Sequence, residues 1–389
     1  MPIPEKLQQL DQTLITLLNE RLAMLAALET PSMQEQLTGY QEQLAASGIP
    51  EHLWSSIITG CMATLAQRPP LSVIDKSRKI TIVGGHGLMG RFFVDRLSNA
   101  GHDVRVLEYD GWGQAESLLG TADLVLLCVP LKATLAVIRK VAPYLSPTTT
   151  LADIASTKSE AVQTMMDSHP GPVVGLHPMF GPGAKSFLGQ KVVVCPGRKP
   201  AAYQWLLHLI ETDGGNLIQS TPEEHDRMMV AVQAIRFFSN FTLGTFLAEE
   251  GIDIERSLTF ASPLYRLEIN TVSRLLVQDA ALYIDILLAS EERCEAIERL
   301  VKVYDRLSKL LAQGDRAALI TEFEAARTSF SSQATRALDE SNHVINHLST
   351  FLAANESNAK VAIESSVTPE SSVTPEPSVM SAYVQARAA

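Results

Sequence analysis

The feature that most restricts this chain is a strand that runs directly into a glycine-rich turn. Lys79-Ile80-Thr81-Ile82-Val83 leads into Gly84-Gly85-His86-Gly87-Leu88-Met89-Gly90, where Gly85, Gly87 and Gly90 form G-x-G-x-x-G. An amphipathic segment, Arg91–Leu97, follows, and then a second apolar run, Asp103–Leu107, that ends at Glu108. The glycine spacing alone is a weak signal. Strand, glycines, helix, strand and terminal acid in this order specify a dinucleotide-binding βαβ unit. The first glycine allows the tight turn, the second lets backbone approach a pyrophosphate around Leu88 and Met89, and the third lets helix and strand pack closely. The helix N-terminus adds positive potential for the phosphates. Glu108 lies 18 residues beyond Gly90, where a carboxylate meets ribose hydroxyls and repels a 2′-phosphate. Tyr109-Asp110-Gly111-Trp112-Gly113 contains no Arg or Lys to receive that phosphate, so the cofactor is expected to be NAD.

Three more strand ends fall on the same edge. Ala122–Pro130 reads as a buried strand whose end, Val129-Pro130, should border the nicotinamide. Thr150–Ile154 leads into Ala155-Ser156-Thr157-Lys158. Val173–Leu176 reads as a short strand that delivers His177 to the turn Pro178-Met179-Phe180-Gly181-Pro182. Ligands of open α/β sheets bind outside the carboxyl ends of the strands. Taken alone, His177 reads equally as a satisfied strand-end histidine or as a functional one. Lys191–Cys195 and Gly215–Ser220 read as later strands, with a helix over about 200–212 between them, so this domain spans 76–221.

The chain has 389 residues, enough for two or three domains, and its net charge of −11 argues against nucleic acid as a partner. Cys61, Cys128, Cys195 and Cys294 are widely separated and form no Cys/His cluster, so no metal site is expected and a reducing cytoplasm fits. The start of the chain lacks the pattern of a signal peptide, and no apolar run approaches the roughly 20 residues needed to span a membrane.

Residues 222–352 read as long helices. Thr221-Pro222-Glu223-Glu224 is a helix start, running to about Glu250. Ser262-Pro263 opens another helix, Ser290 a third that ends before Gly314, and Asp315 a last one to about Leu352. Apolar residues such as Met228, Met229, Val232, Phe237 and Phe241 lie around much of the first helix, which implies cover on several sides and a homodimer of interlocked helices. Residues 353–389 include the repeat Ser-Ser-Val-Thr-Pro-Glu at 365 and 371 and read as a disordered Ser/Pro/Glu tail. Residues 1–75 read as three short helices: one with apolar positions from Leu7 to Leu25 that Thr30-Pro31 breaks, one over about 33–46, and one from Gly48-Ile49-Pro50 onward.

These blocks closely resemble the prephenate dehydrogenases of the TyrA family, in particular the dehydrogenase part of the bifunctional chorismate mutase–prephenate dehydrogenases of enteric bacteria, the T-proteins. The carriers are Gly84–Gly90, Asp153–Lys158, Gly175–Pro182, Gly197-Arg198-Lys199-Pro200, Glu224-His225-Asp226, and Ser262–Glu268 with Arg274. The resemblance implies an α/β Rossmann-type dinucleotide-binding domain plus an all-α dimerisation domain. It implies oxidative decarboxylation of prephenate to 4-hydroxyphenylpyruvate and CO2, with hydride passing to NAD. His177 matches the family's catalytic histidine, a base suited to neutral pH. Ser156 matches a serine that bonds the substrate hydroxyl and borders the nicotinamide. Arg274 matches the arginine that holds the ring carboxylate. Lys158 has two readings, electrostatic support or a solvated loop lysine. Arg266 either assists at the carboxylate or, the favoured reading, pairs with a carboxylate in the interface. His225 either lines the site or is structural.

Leu10-Asp11, Leu17-Leu18-Asn19-Glu20-Arg21 and Gly48-Ile49-Pro50 resemble an AroQ-type chorismate mutase module, with Arg21 matching its first-helix arginine. Residues 1–75 otherwise contain only Lys6 and Arg68 as cations. A dicarboxylate buried without paired cations is strongly disfavoured, so the module is expected to be inactive. The alternatives are arogenate or dual cyclohexadienyl specificity, residual mutase activity, and a non-catalytic tyrosine-sensing protein.

Overall fold

The computed structural model describes residues 3–27, 32–66 and 76–366. The N-terminal module contains α1 (Glu5–Ala27), α2 (Met33–Thr38), α3 (Gln41–Ser47) and α4 (Glu51–Ala66). The expected helix over 33–46 is therefore two helices. Gly39 closes α2 by returning its N–H to the Glu35 carbonyl, and the Tyr40 ring then packs edge-on to Trp54 at 5.5 Å.

A seven-stranded sheet follows: β1 (Lys79–Val83), β2 (Asp103–Leu107), β3 (Leu124–Leu127), β4 (Thr150–Asp153), β5 (Val173–Pro178), β6 (Lys191–Arg198) and β7 (Asn216–Gln219), ordered β2-β1-β3-β4-β5-β6-β7. Strands β1 to β5 are mutually parallel where they pair, β6 turns antiparallel to β5, and β7 runs parallel to β6. Helices α5 (Leu88–Asn99), α6 (Ala115–Leu119), α7 (Thr134–Val141), α8 (Ser159–Ser168) and α9 (Gln204–Thr212) cover it. Successive side chains of a strand point to opposite faces. Ile80, Ile82, Leu124, Leu126, Val174 and Leu176 pack with Phe92, Phe93 and Leu97 of α5 and Leu206 and Ile210 of α9. Val83, Val125, Leu127, Leu151 and Val173 pack with Leu119, Ile138, Val141 and Met165 of α6, α7 and α8. Both faces are thus buried, as a parallel sheet requires.

The remaining helices are α10 (Pro222–Met229), α11 (Arg236–Glu249), α12 (Ile254–Thr259), α13 (Pro263–Leu276), α14 (Ala280–Leu287), α15 (Glu291–Gln313), α16 (Arg316–Phe330) and α17 (Ala334–Ser366). A π-helical turn, Val230–Ile235, joins α10 to α11, so the expected helix from 222 to about 250 is interrupted by one wide turn. Helix α17 runs 14 residues beyond Leu352. The expected tail start at 353 is corrected by this: residues 353–364 hold four alanines and no glycine or proline, a composition that tolerates helix, and the next proline is Pro369. The rest of the Ser/Pro/Glu repeat lies outside the described residues. Two compact units divide the chain: residues up to 239 with 278–301, and residues 240–277 with those from 302 onward. Helix α10, the π-turn, α14 and the start of α15 therefore belong with the sheet, whereas the sequence reading placed the boundary at 221. Among the described residues no helix is long and apolar enough to cross a membrane.

Candidate active site

The glycine turn closes over the ends of β1 and β3. The left-handed conformation falls on Gly84, at φ +81°, one residue before the first glycine of the motif. A Cβ on Gly84 would also stand 2.5 Å from the Cys128 carbonyl oxygen. Gly85 serves close approach instead, since a Cβ there would lie 2.6 Å from the Val106 side chain of β2, and one on Gly90 would lie 2.2 Å from the Gly84 carbonyl oxygen. Gly87 precedes the first turn of α5 and gives it no side-chain cap. The first N–H groups of a helix, here Leu88 and Met89, have no intrahelical acceptor, which leaves donors for an anion. Glu108 stands just past β2, and its Oε1 accepts the His86 backbone N–H at 2.8 Å. Val129 and Pro130 follow β3, and Pro130 opens a short 3-10 turn, Leu131–Ala133. The donor set and the carboxylate fit a dinucleotide at this edge.

The next strand end is built around a buried ion pair. Asp153, the last residue of β4, and Lys158 are both fully buried. The Lys158 ammonium donates to Asp153 Oδ2 and, at 2.9 Å, to the Leu176 carbonyl. A solvated loop lysine is therefore excluded. Lys158 reaches across β5 because residue 175 is glycine: a Cβ there would sit 2.7 Å from Val162 and 3.0 Å from the Lys158 stem. The bond to Leu176 fixes the backbone immediately before His177.

His177 lies inside β5 rather than past its end. The antiparallel β6 extends the ladder, pairing His177 with Val193 and Pro178 with Val192. The side chain is 4% exposed. Its Nδ1 is 2.7 Å from His225 Nε2, and its Nε2 is 3.2 Å from the Gln233 side-chain nitrogen. His225, from the first turn of α10, is itself buried and puts its Nδ1 2.8 Å from Asp226 Oδ1. Asp226 also accepts the backbone N–H groups of Lys158 and Ser159, each at 2.8 Å. Burial holds the His177 imidazole well below its ordinary range, and the positive charges of Lys158 and Arg293 act in the same direction. Burial alone raises the Asp226 carboxyl, but hydrogen bonds from His225, Ser159 and Lys158 outweigh it and hold the group below the usual carboxylate range. After His177 the turn is anchored by Phe180, edge-on to Phe92 at 5.2 Å.

Ser156 sits in the loop between β4 and α8, and its carbonyl accepts from Arg293 at 3.3 Å. Arg293 is 1% exposed and also donates to the Ile286 carbonyl at 2.6 Å. In the other unit, Arg266 donates to the Leu258 carbonyl at 2.9 Å and so ties down the last turn of α12. Arg274 lies exposed in the last turn of α13. The structure thus brings Ser156, Lys158, His177 and His225 into one unit, and adds Asp153, Asp226, Gln233 and Arg293, to which the sequence reading gave no role. Asp226 had a signal in the block Glu224-His225-Asp226. Gln233, a polar residue within an apolar run, and Arg293 carried little.

Comparison with known proteins agrees with this arrangement. Residues 100–218 match the family model described as the nucleotide-binding domain of prephenate dehydrogenase, and residues 221–325 match the one described as its dimerization domain. The chain is 35% identical over 357 residues to the T-protein of Enterobacter agglomerans, covering 88% of this chain and 95% of that relative. It is 39% identical over 267 residues to the T-protein of Haemophilus influenzae, covering 69% and 71%. The crystal structure of prephenate dehydrogenase from A. aeolicus in complex with hydroxyphenyl propionate and NAD+ shares the fold, with a TM-score of 0.54 at 20% identity over 67% of this chain and 99% of that one. These matches show that the chain belongs to the prephenate dehydrogenase family, oxidoreductases of tyrosine biosynthesis that act on prephenate with a nicotinamide dinucleotide.

Proposed function

We propose that the dinucleotide is NAD and that His177 is the group that takes the proton of the prephenate 4-hydroxyl. The observation that carries this is a buried, neutral imidazole at the carboxyl edge of the sheet, in the same unit as the glycine turn. A bound nicotinamide supplies the hydride acceptor. The residues Gly85, Gly87, Leu88, Met89 and Gly90 would hold the pyrophosphate, Glu108 the ribose, and Val129, Pro130 and Ser156 the nicotinamide end. The chain's own chemistry is proton handling. As the C4–H bond is lost the hydroxyl oxygen becomes carbonyl-like, and its proton passes to His177. When CO2 leaves the ring carbon, the electron pair of that C–C bond enters the ring and makes it aromatic. His177 then returns the proton to the phenolate oxygen of 4-hydroxyphenylpyruvate.

Ser156 is proposed to bond the hydroxyl, and Arg274 to hold the ring carboxylate, which requires a cation that does not titrate. Lys158 acts through the backbone of Leu176 and the Asp153 pair, so its contribution is to position. The exposed apolar residues of the second unit, Phe246, Phe260, Leu264 and Leu276 among them, support a homodimer. The N-terminal module is proposed to have no mutase activity. Arg21 bonds Gln36 and lies over the Trp54 ring, 5.6 Å from its centroid, and the remaining cation among described residues 3–66 is Lys6. Arg68 lies outside the described residues. The decisive experiment is a steady-state matrix of NAD or NADP with prephenate or arogenate. Turnover is expected to be highest with NAD and prephenate; an NADP preference overturns the reading of Glu108, and an arogenate preference overturns that of the substrate side chain.

A further inference from the structure

Asp226, His225, His177 and Gln233 form one continuous line of hydrogen bonds, and the chemistry of its two ends fixes the protons in the middle. Asp226 accepts two backbone N–H groups and is held ionised, so it can only accept from His225 Nδ1. His225 Nδ1 therefore carries a hydrogen, and at the other end the Gln233 amide nitrogen donates to His177 Nε2, so the neutral His177 ring keeps its own hydrogen on Nδ1 and gives it to His225 Nε2. The contact between the two rings is 2.7 Å. That leaves the lone pair of His177 on Nε2, the atom that faces the Gln233 amide nitrogen at 3.2 Å. The other end of the same amide, Gln233 Oε1, is buried without a hydrogen-bond partner. A buried amide half satisfied in this way is poorly held, and it sits on a π-helical turn, where the backbone is locally widened.

We infer that Asp226 and His225 are positioning residues that present His177 as its Nδ1–H tautomer, with Nε2 as the proton-accepting atom, and that Gln233 holds that lone pair until the substrate hydroxyl replaces it. This rests on the reading of His177 as the base. The aspartate does not touch the reacting atoms. It sets which nitrogen is basic, and it ties that choice to the Ser156 loop, because the same carboxylate receives the N–H groups of Lys158 and Ser159. The substrate hydroxyl donates to Nε2 as the Gln233 amide does, so the two compete for one lone pair.

The tautomer is directly readable by 15N NMR of the ring nitrogens in enzyme labelled at histidine, with the His177 signals identified by their loss in His177→Asn. Nine histidines make the spectrum tractable. The expected result is a protonated Nδ1 and an unprotonated Nε2; a protonated Nε2 in the neutral ring overturns the inference. His225→Leu breaks the line and is expected to lower kcat by about 100- to 1,000-fold, within the range of general acid–base contributions, with the NAD Kd unchanged. His225→Gln keeps an acceptor toward His177 and a donor toward Asp226, and is expected to recover at least about tenfold of that loss. Equal activity of the Leu and Gln variants overturns the relay. Asp226→Asn also disturbs the start of α8, so the His225 pair is the cleaner test. Gln233→Glu places an acceptor opposite Nε2 and is expected to draw a proton onto it, seen in the 15N spectrum together with loss of turnover; an unprotonated Nε2 in that variant overturns the role of Gln233. The base reading fails separately, if His177→Asn stays active.

Discussion

Two regions of this chain contain a cation in apolar surroundings, and they treat it in opposite ways. In the sheet unit, Lys158 is fully buried but meets a carboxylate and a carbonyl, and the neighbouring His177, His225 and Asp226 are linked end to end. In the N-terminal module, Arg21 meets, among the described residues, a neutral amide and an aromatic face, and one of its terminal nitrogens, Nη1, is buried without a partner. Burying a charge is tolerable when it is paired and hydrogen-bonded. The first region is therefore a finished site that can hold a base in one geometry. The second leaves its arginine on Gln36, with a buried nitrogen unsatisfied, which supports the proposal that it binds no dicarboxylate.

The largest effect that would break this contrast is at the base. His177→Asn should lower the rate of NAD reduction by about 100- to 10,000-fold while NAD binding, followed by fluorescence titration, stays intact. Near-normal turnover removes His177 from the chemistry. Next is the ion pair behind it. Lys158→Met leaves Asp153 buried and uncompensated, and should cost about 3–5 kcal/mol in urea-unfolding stability. Adding Asp153→Asn should recover part of that loss; if it deepens the loss, the pair is not the reason Lys158 is buried. Arg274→Ala follows, with a prephenate KM raised by about 10- to 100-fold, the value of a charge-assisted hydrogen bond, and kcat changed far less. An unchanged KM moves the ring carboxylate to another cation.

The pH dependence of stability sharpens the same comparison. The His177 pKa is lowered in the fold, so below about 6.5 the unfolded chain binds more protons at this residue than the native one does. Its contribution to stability is fully present above that pH and is lost as the pH falls, by up to about 1.4 kcal/mol per pH unit. Asp226 is shifted down as well, but a depressed carboxylate loses its contribution only as the pH falls below about 3.9 toward its folded value. Between pH 7 and 5 the slope of urea-unfolding stability should therefore be flatter in His177→Asn than in the parent. Parallel slopes contradict the burial of a neutral imidazole.

Much of the sheet could be read from the residues because its signals are local. The glycine turn, the apolar runs and the acids and histidine near their ends depend on period and spacing, and all seven strands begin within two residues of their expected starts. What escaped depends on contacts between distant segments. His177 and His225 are 48 residues apart, and only the packing of α10 against α8 and β6 brings them together. Lys158 looked equally suited to solvent because the space for its stem is made by Gly175, in a strand 17 residues later. The π-turn at Val230–Ile235 has no proline or glycine to announce it, and it alone turns Gln233 toward the imidazole. Arg266 shows the same limit, since its bond to the Leu258 carbonyl joins two helices and is not legible from spacing along either one.

The smallest expected effect lies in the N-terminal module, and it bears on the contrast most directly. Chorismate incubated with the enzyme in the absence of NAD should disappear no faster than in buffer. Arg21→Ala should change prephenate dehydrogenation by less than about twofold, as expected for a side chain away from the reacting groups. Its effect on folding should stay modest, since the loss of the donor to Gln36 Oε1 is offset by removal of the guanidinium and of the need to satisfy its buried nitrogen. Clear chorismate turnover that is lost in Arg21→Ala would mean that one arginine, drawn away from Gln36, suffices for a dicarboxylate. In that case the shortage of positive charge in the module is not what decides its activity.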